Sequence, residues 1–270
     1  MSILSGWEAI VDEALSLTGS RIGRPPHFRH WRALVRLCND HSGIADGPSF
    51  AAALIRCIDR NWQVRKRTLP PSLQNWRFAA QTKISERNCS PEVSFERAVV
   101  CADPVWWANQ VPTSSGLTDP TSDRRRSIDL VHRRSDRRSY EFIELKIACD
   151  TPLYAAVELF SYGVLYVFSR QLPYYVDCPL IQAECVDLRV LAPSTYYRRR
   201  NNSEDFDLSW LERLLDDGIA ALTRSTCRGP LAMSFAFSVF PEEFAWDARH
   251  GSATAAYALS MVSDRRPLYE

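Results

Sequence analysis

Apolar residues recur every three to four positions through the first part of the chain. Trp7, Ile10, Val11, Ala14 and Leu15 share one face, which predicts a helix over Ser5 to Leu17. The same period runs through Pro25 to Asn39 and through Ser49 to Trp62, with Gly-Pro or Pro-Pro breaks between the segments. Thr68-Leu-Pro-Pro-Ser makes another break, a short helix is expected after it, and the polar Ser85-Glu-Arg-Asn stretch reads as a boundary. Residues 1–88 are therefore expected to form a helical N-terminal region.

From Ser90 the pattern becomes mixed. Ser90-Pro91 has the chemistry of a helix start, Ser as cap and Pro at the first helical position, and the helix it opens carries Glu92 and Glu96 on one face. Strands are expected around Val105 to Val111, Ser127 to His132 and Tyr140 to Ala148, then a helix over Pro152 to Ser169 capped by Thr151. A strand at Glu184 to Leu191, a helix at Leu208 to Leu222 and a strand at Leu231 to Val239 follow. The order from Ser90 is α-β-β-β-α-β, continued by another helix and strand, which makes residues 89–270 an α/β core.

Within that order, Phe142-Ile-Glu-Leu-Lys-Ile is the most informative stretch. A two-residue period puts Glu144 and Lys146 on one face of the strand, with Ile143, Leu145 and Ile147 on the other. The preceding strand, Ser127-Ile-Asp-Leu-Val, holds one acid, Asp129. The midpoint between Asp129 and Glu144 falls at Asp136-Arg137, inside the polar Arg133-Arg-Ser-Asp-Arg-Arg-Ser stretch. A hairpin turning there sets Asp129 opposite Glu144, with β-carbons about 5 Å apart. Facing carboxylates repel unless a cation lies between them, and a hard ion such as Mg²⁺, which takes oxygen ligands and keeps waters, answers that need.

These residues resemble the PD-(D/E)xK superfamily of restriction-endonuclease-like nucleases over roughly Ser90 to Val239, a family whose core has the same α-β-β-β-α-β order. The resemblance implies that Asp129 and Glu144 hold Mg²⁺ or Mn²⁺ together with the Leu145 carbonyl, and that Lys146 positions or activates the attacking water. It implies a further acid on the first core helix, Glu96 before Glu92. In the RecB-like branch the next helix carries Gln-x-x-x-Tyr, and Glu158-Leu-Phe-Ser-Tyr162 stands in that place. Ile128 replaces the eponymous proline and Glu158 the glutamine.

Composition changes this picture little. With 46% hydrophobic and 24% charged residues and a formal charge of +1, the chain has ordinary globular usage. No basic leader or bilayer-length apolar run is evident, and the eight cysteines contain no CxxC pair, so a cytoplasmic protein with reduced, structural thiols and no membrane partner is expected. Arginine is another matter: of 33 Lys+Arg only Lys66, Lys83 and Lys146 are lysines. Genomic base composition explains such a bias, and so does phosphate recognition. The runs Arg124-Arg125-Arg126, Arg133-Arg134, Arg137-Arg138 and Arg198-Arg199-Arg200, the last following Tyr196-Tyr197, suit phosphate contact and base stacking.

Rival chemistry is weaker. His27, His30, Cys38 and His41 have zinc-ligand types, but one helix over Pro25 to Asn39 would spread them roughly 20 Å. Cys149 and His132 could pair as a hydrolase only if brought together from opposite ends of the hairpin. Trp106-Trp107 read as strand core. The sequence thus points to a metal-dependent nuclease acting on nucleic acid, DNA first, with oligomeric state left open. The contrasting expectation is a catalytically silent nucleic-acid- or protein-binding module that kept the fold.

Overall fold

A computed structural model describes residues 2–19, 22–65, 70–83, 88–118, 126–147, 150–198, 205–226, 229–246 and 255–269. Helices α1 (Trp7–Ala14), α2 (Trp31–Asn39) and α3 (Gly47–Gln63) come first. The expected single helix over Pro25 to Asn39 is divided: His27–Arg29 form a 3-10 turn, and His30 is extended before α2. Pro26 is itself extended ahead of the turn, and the buried Asp12 carboxylate takes the His27 and Phe28 N–H groups at 2.7 and 2.9 Å. The short helix expected after Pro71 does not form. Instead Trp76, with φ 62°, donates its N–H to the Pro112 carbonyl and stacks its fully buried ring over Phe142.

The α/β part follows as α4 (Pro91–Ala102), β1 (Trp107–Pro112), β2 (Ser127–Arg133), β3 (Ser139–Leu145), α5 (Pro152–Ser169), β4 (Cys185–Ala192), α6 (Ser209–Thr226), β5 (Ala232–Val239), α7 (Ala255–Ser263) and β6 (Arg266–Pro267). Ser90 and Thr151 cap α4 and α5 through the Val93 and Tyr154 N–H groups, contacts that stabilise a helix by about 1 kcal/mol each. The strands of the described residues form one sheet in the order β1-β2-β3-β4-β5-β6. β1, β2 and β3 are an antiparallel meander, β3, β4 and β5 run parallel, and β6 closes the edge antiparallel. α7 and β6 have no counterpart among the elements the sequence predicts.

Two apolar layers cover the sheet. Tyr140 and Phe142 point to the side of α5, while Ile143 and Leu145 point to α4 and α7, where Phe95, Val99, Met261 and Val262 gather. With both faces covered, all seven residues of β3 are buried, including its glutamates. α5 is apolar on every side and long enough by composition to cross a bilayer, but 89% of it lies inside the protein, as expected for a central core helix. The N-terminal helices share this core: Phe50 of α3 stacks on Phe160 of α5, and α3 crosses α6 so closely that a Cβ at Gly47 would lie 2.1 Å from the Leu214 carbonyl oxygen.

Candidate active site

The β2–β3 hairpin turns where Asp136 accepts from the N–H groups of Arg138 and Ser139, and its paired residues run from Arg133 with Tyr140 to Leu130 with Ile143. One further step along that register sets Asp129 against Glu144. The ladder stops there, and the Asp129 side chain takes over, its Oδ2 accepting the Leu145 N–H at 2.9 Å. On the other flank β1 kinks. Gln110 adopts φ 49° between the pairs Asn109–Leu130 and Val111–Ile128, a conformation that costs a non-glycine residue about 1 kcal/mol or more. The kink aims the Gln110 amide at Glu96, to which Nε2 donates at 2.8 Å, and lets its Oε1 accept from the Ser127 hydroxyl at 2.9 Å.

Lys146 leaves the end of β3 with its N–H on the Leu191 carbonyl, and its ammonium meets Glu144 at 2.9 Å, Asp150 at 3.5 Å and Glu158 at 3.9 Å. Glu158 sits between two tyrosines one helical turn away on either side, Tyr154 and Tyr162, each donating its hydroxyl to Oε1 at 3.2 Å. Glu96, Glu144, Lys146 and Tyr162 are buried, Asp129 is partly buried, and Asp150 is the exposed acid of the cluster. Glu92, the other acid on that face of α4, does a different job: it accepts the Ile147 N–H at 3.1 Å and holds the chain beyond β3.

Electrostatics here are dominated by crowding. Burial, then the like charge of its neighbours, raises the carboxyls of Asp129 and Glu144 well above the ordinary range; the neighbour is Glu96 for Asp129 and Asp129 for Glu144. Burial likewise pushes Glu96 up to about 8, against the opposing hydrogen bond from Gln110. Burial would lower Lys146, yet Glu144, Asp129 and Glu158 outweigh it and keep the ammonium protonated. One ammonium thus serves Glu144, Asp150 and Glu158 and feels the charge of Asp129, while Glu96 has the Gln110 amide as its partner. Such a cluster is eased either by protons or by a second cation.

Oxygen donors suit a hard divalent ion, which needs only one or two carboxylates when waters and a phosphate complete its shell. Among the described residues no group of three or more His, Cys, Asp or Glu side chains is placed to hold a metal ion together. The fitting set is therefore the pair Asp129 and Glu144 with the adjoining main chain of Leu145, and Glu96 behind them.

The arginine runs distribute differently. Arg126 lies one residue before β2 and three before Asp129, at the acidic end of the strand. Arg124 and Arg125, like Arg199 and Arg200, lie outside the described residues. Arg133, Arg134, Arg137 and Arg138 belong to the opposite end of the hairpin, more than about 13 Å along the strand from Asp129. Arg133 donates to the Val105 carbonyl and stacks over Phe78 and Trp106. Arg134 bonds Glu141 at 3.3 Å and Asp187 at 2.5 Å, within a network that also binds Arg189, Arg265 and His132. Arg137 is exposed over Trp106; Arg138 and Arg198 make exposed pairs with Glu184 and Asp205.

The zinc-type residues have separate partners. His30 bonds the Arg24 carbonyl, Cys38 the Asp207 carbonyl, and His41 stacks on Trp210. His132 pairs with Glu141 at 2.8 Å and lies flat on Trp107, while Cys149 falls outside the described residues. Cys38, Cys57, Cys89, Cys101, Cys178 and Cys185 take part in no disulfide, and Cys89 and Cys101 are exposed rather than packed in the interior. Sequence reading missed Tyr154, Asp150 and Gln110. Tyr154 had a signal, since Tyr154, Glu158 and Tyr162 repeat every four residues on one helical face; Gln110 had none.

Comparison with protein-family models, with curated proteins and with solved structures returned no match for this chain.

Proposed function

We propose that this protein is a metal-dependent phosphodiesterase of the restriction-endonuclease-like, PD-(D/E)xK kind, hydrolysing nucleic acid and in the first instance DNA. One observation carries the reading: the hairpin register brings Asp129 level with Glu144, the two feel each other's charge, and Lys146 bonds Glu144 at 2.9 Å. The order α4-β1-β2-β3-α5-β4, with β1 to β3 antiparallel and β4 parallel to β3, is compatible with that core.

Asp129, Glu144 and the Leu145 carbonyl would hold Mg²⁺ or Mn²⁺, and such an ion polarises a phosphoryl oxygen and acidifies water. Lys146, 2.9 Å from Glu144, would orient the attacking water or a phosphate oxygen. Glu158, fixed by Tyr154 and Tyr162, holds Lys146 from the far side. A cytoplasmic setting belongs to the same proposal.

Circular and linear duplex DNA, single-stranded DNA and RNA, each incubated with Mg²⁺ or Mn²⁺, test the reading. Cleavage of at least one, abolished in Asp129→Asn and Glu144→Gln together with divalent-ion binding by calorimetry, supports it. Undiminished metal affinity in both variants sinks the assignment. The silent-module alternative rests on the 2.9 Å pair by which Lys146 already neutralises Glu144. It requires that Mg²⁺ or Mn²⁺ leave the melting temperature unchanged, because a ligand specific for the native state raises it.

A further inference from the structure

We infer that Arg29, from the N-terminal helical region, holds a nucleic-acid phosphate beside the one served by Lys146, so that this region forms a wall of the substrate cleft. The inference rests on the nuclease reading and extends it to residues outside the α/β core. Its basis is the seating of the 3-10 turn His27–Arg29 against α5. Asp12, itself buried, takes two N–H groups of the turn, and the fully buried Phe28 ring lies between Trp7, edge-on at 5.5 Å, and Tyr154, stacked at 5.9 Å. The turn therefore has little freedom to slide along α5.

That seating brings the Arg29 guanidinium 4.9 Å from the centre of the Tyr154 ring, and the Lys146 ammonium lies 5.9 Å from the same centre. The Tyr154 hydroxyl bonds Glu158, which faces Lys146. One ring thus links the cation of the acidic cluster to a cation at its rim. A cluster with so many carboxyls repels a phosphodiester backbone, and a guanidinium at the rim offsets this while offering a planar fork matched to phosphate oxygens.

Arg29 is not locked away. Its carboxylate partner is Glu8, at 2.5 Å, and their side chains are 46% and 38% exposed. An exposed pair of this kind is weak and screened by salt, so a phosphate oxygen can take the place of the Glu8 oxygen. Glu8 then behaves as a resident competitor, and the two residues should respond oppositely to removal.

The test is fluorescence anisotropy of the full chain with a fluorescein-labelled DNA of about 20 nucleotides, single-stranded and duplex, in EDTA so that binding is read without cleavage. Salt is varied. On a duplex each phosphate contact contributes a slope of about −0.9 in log affinity against log salt, so losing one costs about eightfold at 0.1 M salt. Arg29→Ala should show that loss and a slope shallower by about 0.9; Arg29→Lys should recover much of it. Glu8→Gln should bind more tightly than the parent. If the pair merely fastens α1, both variants lower the melting temperature alike and neither changes affinity, which overturns the inference while leaving the nuclease reading standing. Failure of the parent protein to bind either DNA, or RNA of the same length, both in EDTA and with Ca²⁺ in its place, overturns both.

Discussion

Glu96→Gln makes the crowding measurable. The Glu96 carboxyl is 1% exposed, and its folded value of about 8 stands above an unfolded value of 4.5. Between those values the folded state holds the proton and the unfolded state has lost it, so stability falls as pH rises from about 4.5 to 8 and is level above that. At pH 7 the drop relative to a side chain that never ionises is about 3 kcal/mol, and above pH 9 it approaches about 5 kcal/mol. Glutamine has the same shape and can still accept the Gln110 amide hydrogen. The variant should therefore match the parent near pH 4 and exceed it by about 3 kcal/mol at pH 7, a rise of about 6 °C or more in Tm for a chain of this size. Urea melts in EDTA at several pH values read the difference directly. Saturating Mg²⁺ should narrow it, because an ion held nearby favours the ionised carboxylate. A gap that is constant between pH 5 and 9 in EDTA would refute the reasoning.

Three other outcomes are expected. Lys146→Arg keeps the charge but not the shape: the side chain is only 9% exposed and 2.9 Å from Glu144, so a wide guanidinium should grip that carboxylate and lower cleavage at least about 100-fold, whereas parental rates would remove Lys146 from the chemistry. Arg134→Ala should cost about 1 to 3 kcal/mol, because Glu141 and Asp187 lose a shared guanidinium, while Arg137→Ala should stay within about 0.5 kcal/mol; equal denaturation midpoints for the two would show that the Glu141 network contributes no stability. Gly47→Ala forces a Cβ to within 2.1 Å of the Leu214 carbonyl and should destabilise by at least about 2 kcal/mol. Hydrogen exchange should then quicken in α3, α5 and α6 together, and protection lost from α3 alone would mean that the N-terminal helices are a separate unit.

Short-range chemistry was sufficient for much of the α/β part. The Thr151 cap and Pro152 set the start of α5 where the sequence predicts it, because both act on neighbouring N–H groups and dihedrals. The turn at Asp136 is equally local, and because side chains alternate strictly along paired strands, its position alone carries Asp129 to the level of Glu144. Tertiary contacts decided what local signals could not. Trp76 gives up a local helix because the space over Phe142 and Tyr166 buries its ring, and α2 is cut short because Asp12, far away in the chain, satisfies the backbone of the turn before it. Glu92 and Glu96 share a helical face and are indistinguishable in the sequence. Only the kink at Gln110 and the end of β3 give one the acidic cluster and the other the Ile147 N–H. The place of Arg29 is likewise a tertiary fact, since no periodicity connects residue 29 with residue 154; a shared apolar core does, by burying Phe28 against α5.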